Sequence, residues 1–198
     1  MASLAAATDA QIARAADAIT LARQPCDVVW RGDALLVATY DYVEAEGTRV
    51  GGLCRLRAGP LRETASLELN GGYAVASRKD GGVAVATADG RVVLVEADGD
   101  ALAAIAASAP KHNLFTSVEW LDATSLVVAE GDGGRVSTWA VAGGELSETR
   151  CWDAHAYAPG CPAEVWCATR DAASGLVLSG ADDGVLKGWD ARGRATAA

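Results

Sequence analysis

The sequence predicts an all-β fold, a β-propeller of about four repeated units with four short strands each. Three observations carry this. After Pro25, runs of Val, Leu and Ala alternate with Gly/Asp turns, and helical periodicity fades. The runs recur with the same strand, Asp-Gly turn, strand order. The turns at Asp89, Asp132 and Asp183 lie 43 and 51 residues apart, and a period near 40–50 residues with four strands per unit is the sequence signature of a propeller.

The hairpins are readable one by one. Leu35–Tyr40 leads through an irregular loop to Gly52–Leu56, and Val83–Thr87 leads through Ala88-Asp89-Gly90 to Arg91–Val95. Leu126–Ala129 leads through Gly131-Asp132-Gly133-Gly134 to Arg135–Trp139, and Leu176–Gly180 leads through Ala181-Asp182-Asp183-Gly184 to Val185–Asp190. Asp-Gly suits a tight two-residue hairpin, because both central residues take positive φ at low cost. Upstream of three hairpins lies a second element, Asp27–Trp30, Ser117–Trp120 and Glu164–Trp166, expected as the innermost strand of each unit. Packing between units explains these tryptophans most simply.

Composition narrows the function classes. There are 17 Lys and Arg against 26 Asp and Glu, a formal net charge of −9 and a pI near 4.7. A nucleic-acid partner held by a basic face is therefore not expected, nor a polybasic membrane contact. The 51% hydrophobic fraction is inflated by 43 Ala. Five Cys (Cys26, Cys54, Cys151, Cys161 and Cys167) are odd in number, irregularly spaced and lack any CxxC pair. Reduced thiols in the cytoplasm and no metal site are the expectation. Residues 1–24 are Ala-rich and expected to be helical or strand-poor. Asp9, Arg14, Asp17 and Arg23 break any apolar run, so neither a signal peptide nor a membrane span is expected. Residues 25–192 form the repeat region, and 193–198 are expected to be a disordered tail.

The last unit is the most specific. Ser179-Gly180-Ala181-Asp182-Asp183-Gly184-Val185-Leu186-Lys187-Gly188-Trp189-Asp190 resembles the WD-repeat signature, and the fold it implies is a WD40-type β-propeller. In that family the turn carboxylate, here Asp183, accepts backbone N–H bonds and pairs with an upstream His, here His155. A structural His–Asp–Trp network in each blade is the plain explanation of these residues. Gly188 stands where WD repeats place Leu, Ile or Val, which suggests a close backbone approach or a departure made for a neighbour.

Taken with Ser117-Val118-Glu119-Trp120, Trp152-Asp153-Ala154-His155 and Glu164-Val165-Trp166, the closing Leu-Lys-Gly-Trp-Asp-x-Arg run is similar to the diphthine methylesterase family, WD-repeat enzymes of diphthamide biosynthesis. The opening Cys26–Trp30 and Val37–Tyr40 pair is similar to that family's first strands. The chain departs from the family in the turn-rich stretch 156–163 and in the lack of Trp-Asp after residues 83–95.

The resemblance implies a carboxylic ester hydrolase. It would remove the methyl ester of methylated diphthine, a modified histidine on elongation factor two, and release methanol. No cofactor is implied. Ester hydrolysis needs an activated nucleophile, a proton shuttle and an oxyanion stabiliser. The G-x-S-x-G elbow is absent, as are H-E-x-x-H and a Walker motif. His155, oriented by Asp183, is the candidate base. His112, in a loop between units, is the weaker one. Glu119, Trp120, Glu164 and Trp166 are the candidate substrate-binding residues, because carboxylates and indole faces attract a trimethylammonium group. The competing function is a non-catalytic WD-repeat scaffold for protein–protein interaction.

Length then bears on the architecture. At ~45 residues per unit, 198 residues hold about four blades, whereas the family implies a seven-bladed ring. An open arc with an unpaired edge, truncated at its C-terminus, is expected. Closure as a four-bladed ring is the alternative.

Overall fold

A computed structural model describes residues 17–111 and 113–190. The described chain is all β, with seventeen strands in antiparallel sheets. Among these residues no helix is long and apolar enough to cross a membrane. Residues 17–23 are neither helix nor strand, while residues 1–16 and the tail 193–198 lie outside the described residues.

The first sheet is β1 (Gln24–Arg31), β2 (Ala34–Val43), β3 (Thr48–Arg57) and β4 (Arg62–Leu69). The second is β5 (Gly72–Ser77), β6 (Val83–Thr87), β7 (Val92–Glu96) and β8 (Ala103–Ala107). The third is β9 (Phe115–Trp120), β10 (Ser125–Glu130), β11 (Arg135–Ala142) and β12 (Glu145–Asp153). A short hairpin of β13 (Ala156–Ala158) and β14 (Cys161–Pro162) follows. The fourth sheet has three strands, β15 (Val165–Arg170), β16 (Val177–Ala181) and β17 (Leu186–Trp189). Strand order within each sheet is sequential, so every connection is a hairpin.

The sheets pack in series through their first strands, β1 on β5, β5 on β9 and β9 on β15, with no comparable packing from β15 back to β1 among the described residues. Three apolar clusters fill the three interfaces. Leu36, Leu53, Val75, Val85 and Val93 join the first two sheets. Phe115, Leu126, Val128 and Trp139 join the second and third to Ala84 and Leu94. Val127, Val136, Val165 and Val177 join the third and fourth. The middle strands are thus buried on both faces, which is why β6 and β10 read as unbroken apolar runs. The last strands β4, β8 and β12 are largely exposed, and their weak patterning hid them from a reading of the sequence.

Two local expectations are corrected. The Asp-Gly turns are not two-residue hairpins. Gly90 N–H donates to Thr87 O and Gly184 N–H to Ala181 O, both at 3.1 Å, so Gly closes a four-residue turn in the left-handed conformation (φ 75° and 73°). Gly188 makes no close backbone approach either. A Cβ there would lie 3.6 Å from Leu178 Cδ2 and 3.7 Å from Leu176 Cδ1, ordinary contact distances. Close backbone approaches occur at other glycines, one of them between the first two sheets. A Cβ on Gly72 would collide with the Gly52 backbone, and one on Gly52 with the backbone of Leu67 and Leu69.

Candidate functional site

The fourth sheet gathers His155, Asp183, Ser179 and Trp189 into one hydrogen-bonded chain. The loop after β12 delivers His155, the β16–β17 turn delivers Asp183, and Ser179 and Trp189 lie on the two strands. His155 Nδ1 is 2.9 Å from both Asp183 carboxylate oxygens, and Nε2 is 2.8 Å from Ser179 Oγ. Trp189 Nε1–H donates to the same Oγ at 2.8 Å. Asp183 also accepts Val185 N–H at 3.0 Å and faces Lys187 Nζ at 3.5 Å. Lys187 in turn donates to Ala154 O, tying the turn to the loop that carries His155. Burial alone would raise the Asp183 carboxyl. The hydrogen bonds from His155 and Val185 N–H and the Lys187 charge outweigh it and hold the carboxyl below its ordinary range.

The order carboxylate, imidazole, hydroxyl matches that of a serine hydrolase triad, but the surroundings differ. The His155 side chain is fully buried, and so is Ser179. Both ring nitrogens are engaged, and the hydroxyl already accepts the Trp189 indole. In this arrangement the imidazole has no free nitrogen to take a proton from water. What it does physically is fasten the β16–β17 turn to the chain entering the sheet. Ser179 is the member that sequence reasoning missed, since no elbow motif marks it. His112 lies outside the described residues.

The four candidate substrate-binding residues fall at two opposite ends of their strands. Trp120 closes β9 opposite Leu126, and Trp30 stands one residue before the end of β1, opposite Leu35. Glu119 and Trp120 are half-buried there, and the Arg78 guanidinium sits 4.4 Å from the Trp120 ring centroid. That indole face therefore already carries a cation. A cleft of about 410 Å³ beside it is lined by Arg31, Arg78, Asp80 and Trp120. Glu164 and Trp166 stand where β15 begins, both exposed.

Trp166 occupies a bulge, because the register skips it between Val165↔Ala181 and Cys167↔Gly180. Cys26 in β1 and Tyr73 in β5 are skipped at the same place, and Thr116 in β9 falls in the matching interruption. All four first strands therefore carry an unpaired residue near their start. Trp166 Nε1–H donates to Asp182 Oδ1 at 2.7 Å. Tyr157, in β13, feels the same carboxylate. Desolvation, then the charges of Asp182 and Glu164 and a hydrogen bond to Asp182, push its phenol up. Burial, then Cys26, Tyr40 and Glu164, push up the phenol of Tyr73. Tyr40 and Tyr73 meet edge to face, 5.7 Å between centroids.

One further cluster of titratable groups lies on the third sheet, met by Lys111 from the loop that follows the second. Among the described residues, Glu130, Glu148 and Cys151 bring two carboxylates and a thiol within 4.8 Å of one another. The Lys111 ammonium fills the position a cation would take, 2.9 Å from Glu130 and 2.7 Å from Glu148. Glu130 is fully buried and meets Arg135 at 2.8 Å as a charge contact without hydrogen-bond alignment.

No family model matches the chain, and no curated protein matches it. Solved structures do. The chain is similar to the computationally designed Ika4 protein, at TM-score 0.62 and 16% identity, over 90% of this chain and 98% of that one. It is also similar to a chain of the Mitotic Checkpoint Complex, at TM-score 0.62 and 17% identity, over 83% of this chain and 50% of that one. At these identities the likeness concerns the fold alone.

Proposed function

We propose that the chain forms four blades of a WD40-type β-propeller of the diphthine methylesterase family, arranged as an open arc. It hydrolyses the methyl ester of methylated diphthine on elongation factor two in the cytoplasm, giving diphthine and methanol. The observation that carries this is the closing run Ser179–Asp190. It resembles the family's most specific segment, and its Asp183 meets His155 and Trp189 in the hydrogen-bond chain that a WD repeat requires. The series β1–β5–β9–β15, with no comparable packing of β15 on β1 among the described residues, supports the arc.

In this reading substrate contact belongs to the end that holds Glu164 and Trp166. Glu119 and Trp120 lie at the other end, where Arg78 occupies the indole. A base role for His155, with Asp183 orienting it, requires Nε2 to leave Ser179 and reach solvent. The test is incubation with elongation factor two bearing methylated diphthine. Loss of one methyl ester, a decrease of about 14 Da with methanol released, is the expected result of one turnover. No loss at stoichiometric protein rejects hydrolysis. His155→Ala then separates roles, since lost turnover at an unchanged melting temperature means chemistry and a collapsed melting temperature means the hydrogen-bond chain.

The second reading is a non-catalytic scaffold. It is favoured by the burial of His155 and the engagement of both its ring nitrogens. Binding of the elongation factor at unchanged ester content is its signature.

A further inference from the structure

We infer that two copies of this chain close head to tail into one ring, the outer face of the first sheet in each copy seated on the outer face of the fourth sheet in the other. The inference goes beyond the proposed function and holds with or without it. Inside the chain one rule governs all three contacts between sheets. The back of each sheet, on its second and third strands, meets the front of the next sheet, led by its first strand.

The registers give equivalent positions in all four sheets. On the back, Leu53, Val92 and Val136 pair with Ala38, Ala86 and Ala129, and each is fully buried against the next sheet. In the fourth sheet the same pair is Leu186 with Gly180, and Leu186 is 71% exposed. On the front, Val75, Val118 and Ala168 pair with Val85, Val128 and Ser179, and each is buried against the preceding sheet. In the first sheet the same pair is Val28 with Val37, and Val28 is 56% exposed. Ile19 and Leu21 wall one side of this front, where an apolar groove of about 560 Å³ runs past Val28 and Leu35. The arc therefore carries one unused front and one unused back, of the kinds that meet three times inside it.

A second copy is the occupant because a back fits a front and neither fits itself. A contact between unlike faces repeats until the ring closes. One copy does not close alone, since among the described residues β15 has no comparable packing on β1. Two arcs bring eight sheets, within the roughly four to eight blades over which propellers close. Such a ring covers both fronts and both backs. Apolar burial must carry the contact, because the net charge of −9 on each copy opposes association.

Sedimentation equilibrium of the full chain in the micromolar range tests this, and the expected mass is twice the 20.2 kDa of one chain. The places of Val28 and Leu186 share one apolar cluster in every internal contact, as Val75 and Leu53 do. Val28→Lys and Leu186→Glu, both at exposed sites, should each weaken association about ten-fold or more by placing an unpaired charge in both contacts. Circular dichroism melting establishes that each variant keeps the fold. An equimolar mixture of the two should associate again, because one contact is then intact and the other sets Lys against Glu. No recovery on mixing means like faces meet, and overturns the inference. Oxidation checks the register. Ser117 Oγ donates to Ala168 O at 3.2 Å across an internal contact, and Cys167 and Val28 hold those two places at the free faces. With oxidised glutathione as oxidant, Val28→Cys should form a disulfide with Cys167 of the second copy, absent in Cys167→Ser. Linkage to a different cysteine overturns the register. A wild-type monomer overturns the inference. If that monomer associates once residues 1–16 are removed, the chain's own N-terminus holds the front; if it does not, another protein covers these faces. Species that keep growing with concentration overturn closure by two.

Discussion

Replacing Ser179 with alanine isolates the hydrogen-bond chain of the fourth sheet. Ser179 Oγ is fully buried, 2.8 Å from His155 Nε2 and 2.8 Å from Trp189 Nε1. Alanine removes one oxygen and strands two polar nitrogens, one in a fully buried imidazole and one in a partly buried indole. A buried group left without a partner costs about 1–3 kcal/mol. The imidazole bears the larger share and the indole, nearer solvent, the smaller. The sum is about 2–4 kcal/mol, a large part of the ~5–15 kcal/mol that holds a domain together. At a urea slope of about 2 kcal/mol per molar, the unfolding midpoint falls by about 1–2 M with the slope unchanged. The control is Ser137→Ala in the third sheet, where, among the described residues, Oγ accepts Trp139 Nε1–H at 2.9 Å. It loses about 1–2 kcal/mol. A Ser179→Ala loss below about 0.5 kcal/mol, or no greater than that of Ser137→Ala, refutes the argument that Ser179 serves two buried partners.

Other outcomes follow from the same structure. Because the Asp183 carboxyl is held below its ordinary value, its contribution is present above the unfolded carboxylate pKa and is lost as pH falls through the folded value. Wild-type protein should therefore lose more stability between pH 5 and about pH 2 than Asp183→Asn, measured as urea midpoints; equal losses refute it. Gly188→Ala should be neutral or stabilise by up to about 1 kcal/mol, since its Cβ meets only ordinary contacts. Gly72→Ala should instead cost about 2–3 kcal/mol by driving Cβ into the Gly52 backbone, and thermal melts compare the two directly. Burial and then the Glu130 charge push the Cys151 thiol up to about 12, so iodoacetamide at pH 8 should label it well behind a free peptide thiol. Mass spectrometry of the alkylated peptides reads this out.

The strand pairs of the repeats were legible in the sequence because a strand buried on both faces shows as a continuous apolar run. Val83–Thr87 is β6 residue for residue. The outer strands β4, β8 and β12 were not legible, since they face solvent and carry little apolar signal. Strand β5 escaped for another reason: it lacks the tryptophan that marks its counterparts, and its place is set by the glycine contact with the first sheet.

The same division runs through the candidate site. The pairing of His155 with Asp183 was legible from the repeat signature, and the structure brings them to 2.9 Å. The Val-Glu-Trp and Glu-Val-Trp runs read alike in sequence, yet Trp120 ends its strand and Trp166 begins one. Trp166 takes the place in β15 that Thr116 takes in β9, four residues before the place of Trp120, and where a run sits along its strand is set by register against the partner strand, which no local pattern records. The sequence by itself determined the β class, the repeat and the turn carboxylate, because periodicity and turn chemistry are local properties of the chain. Only the tertiary structure decided that Ser179 closes the hydrogen-bond chain, that Arg78 covers Trp120, and that Trp166 donates to Asp182. These meetings join residues from different elements, and they are fixed by sheet register and by packing between sheets.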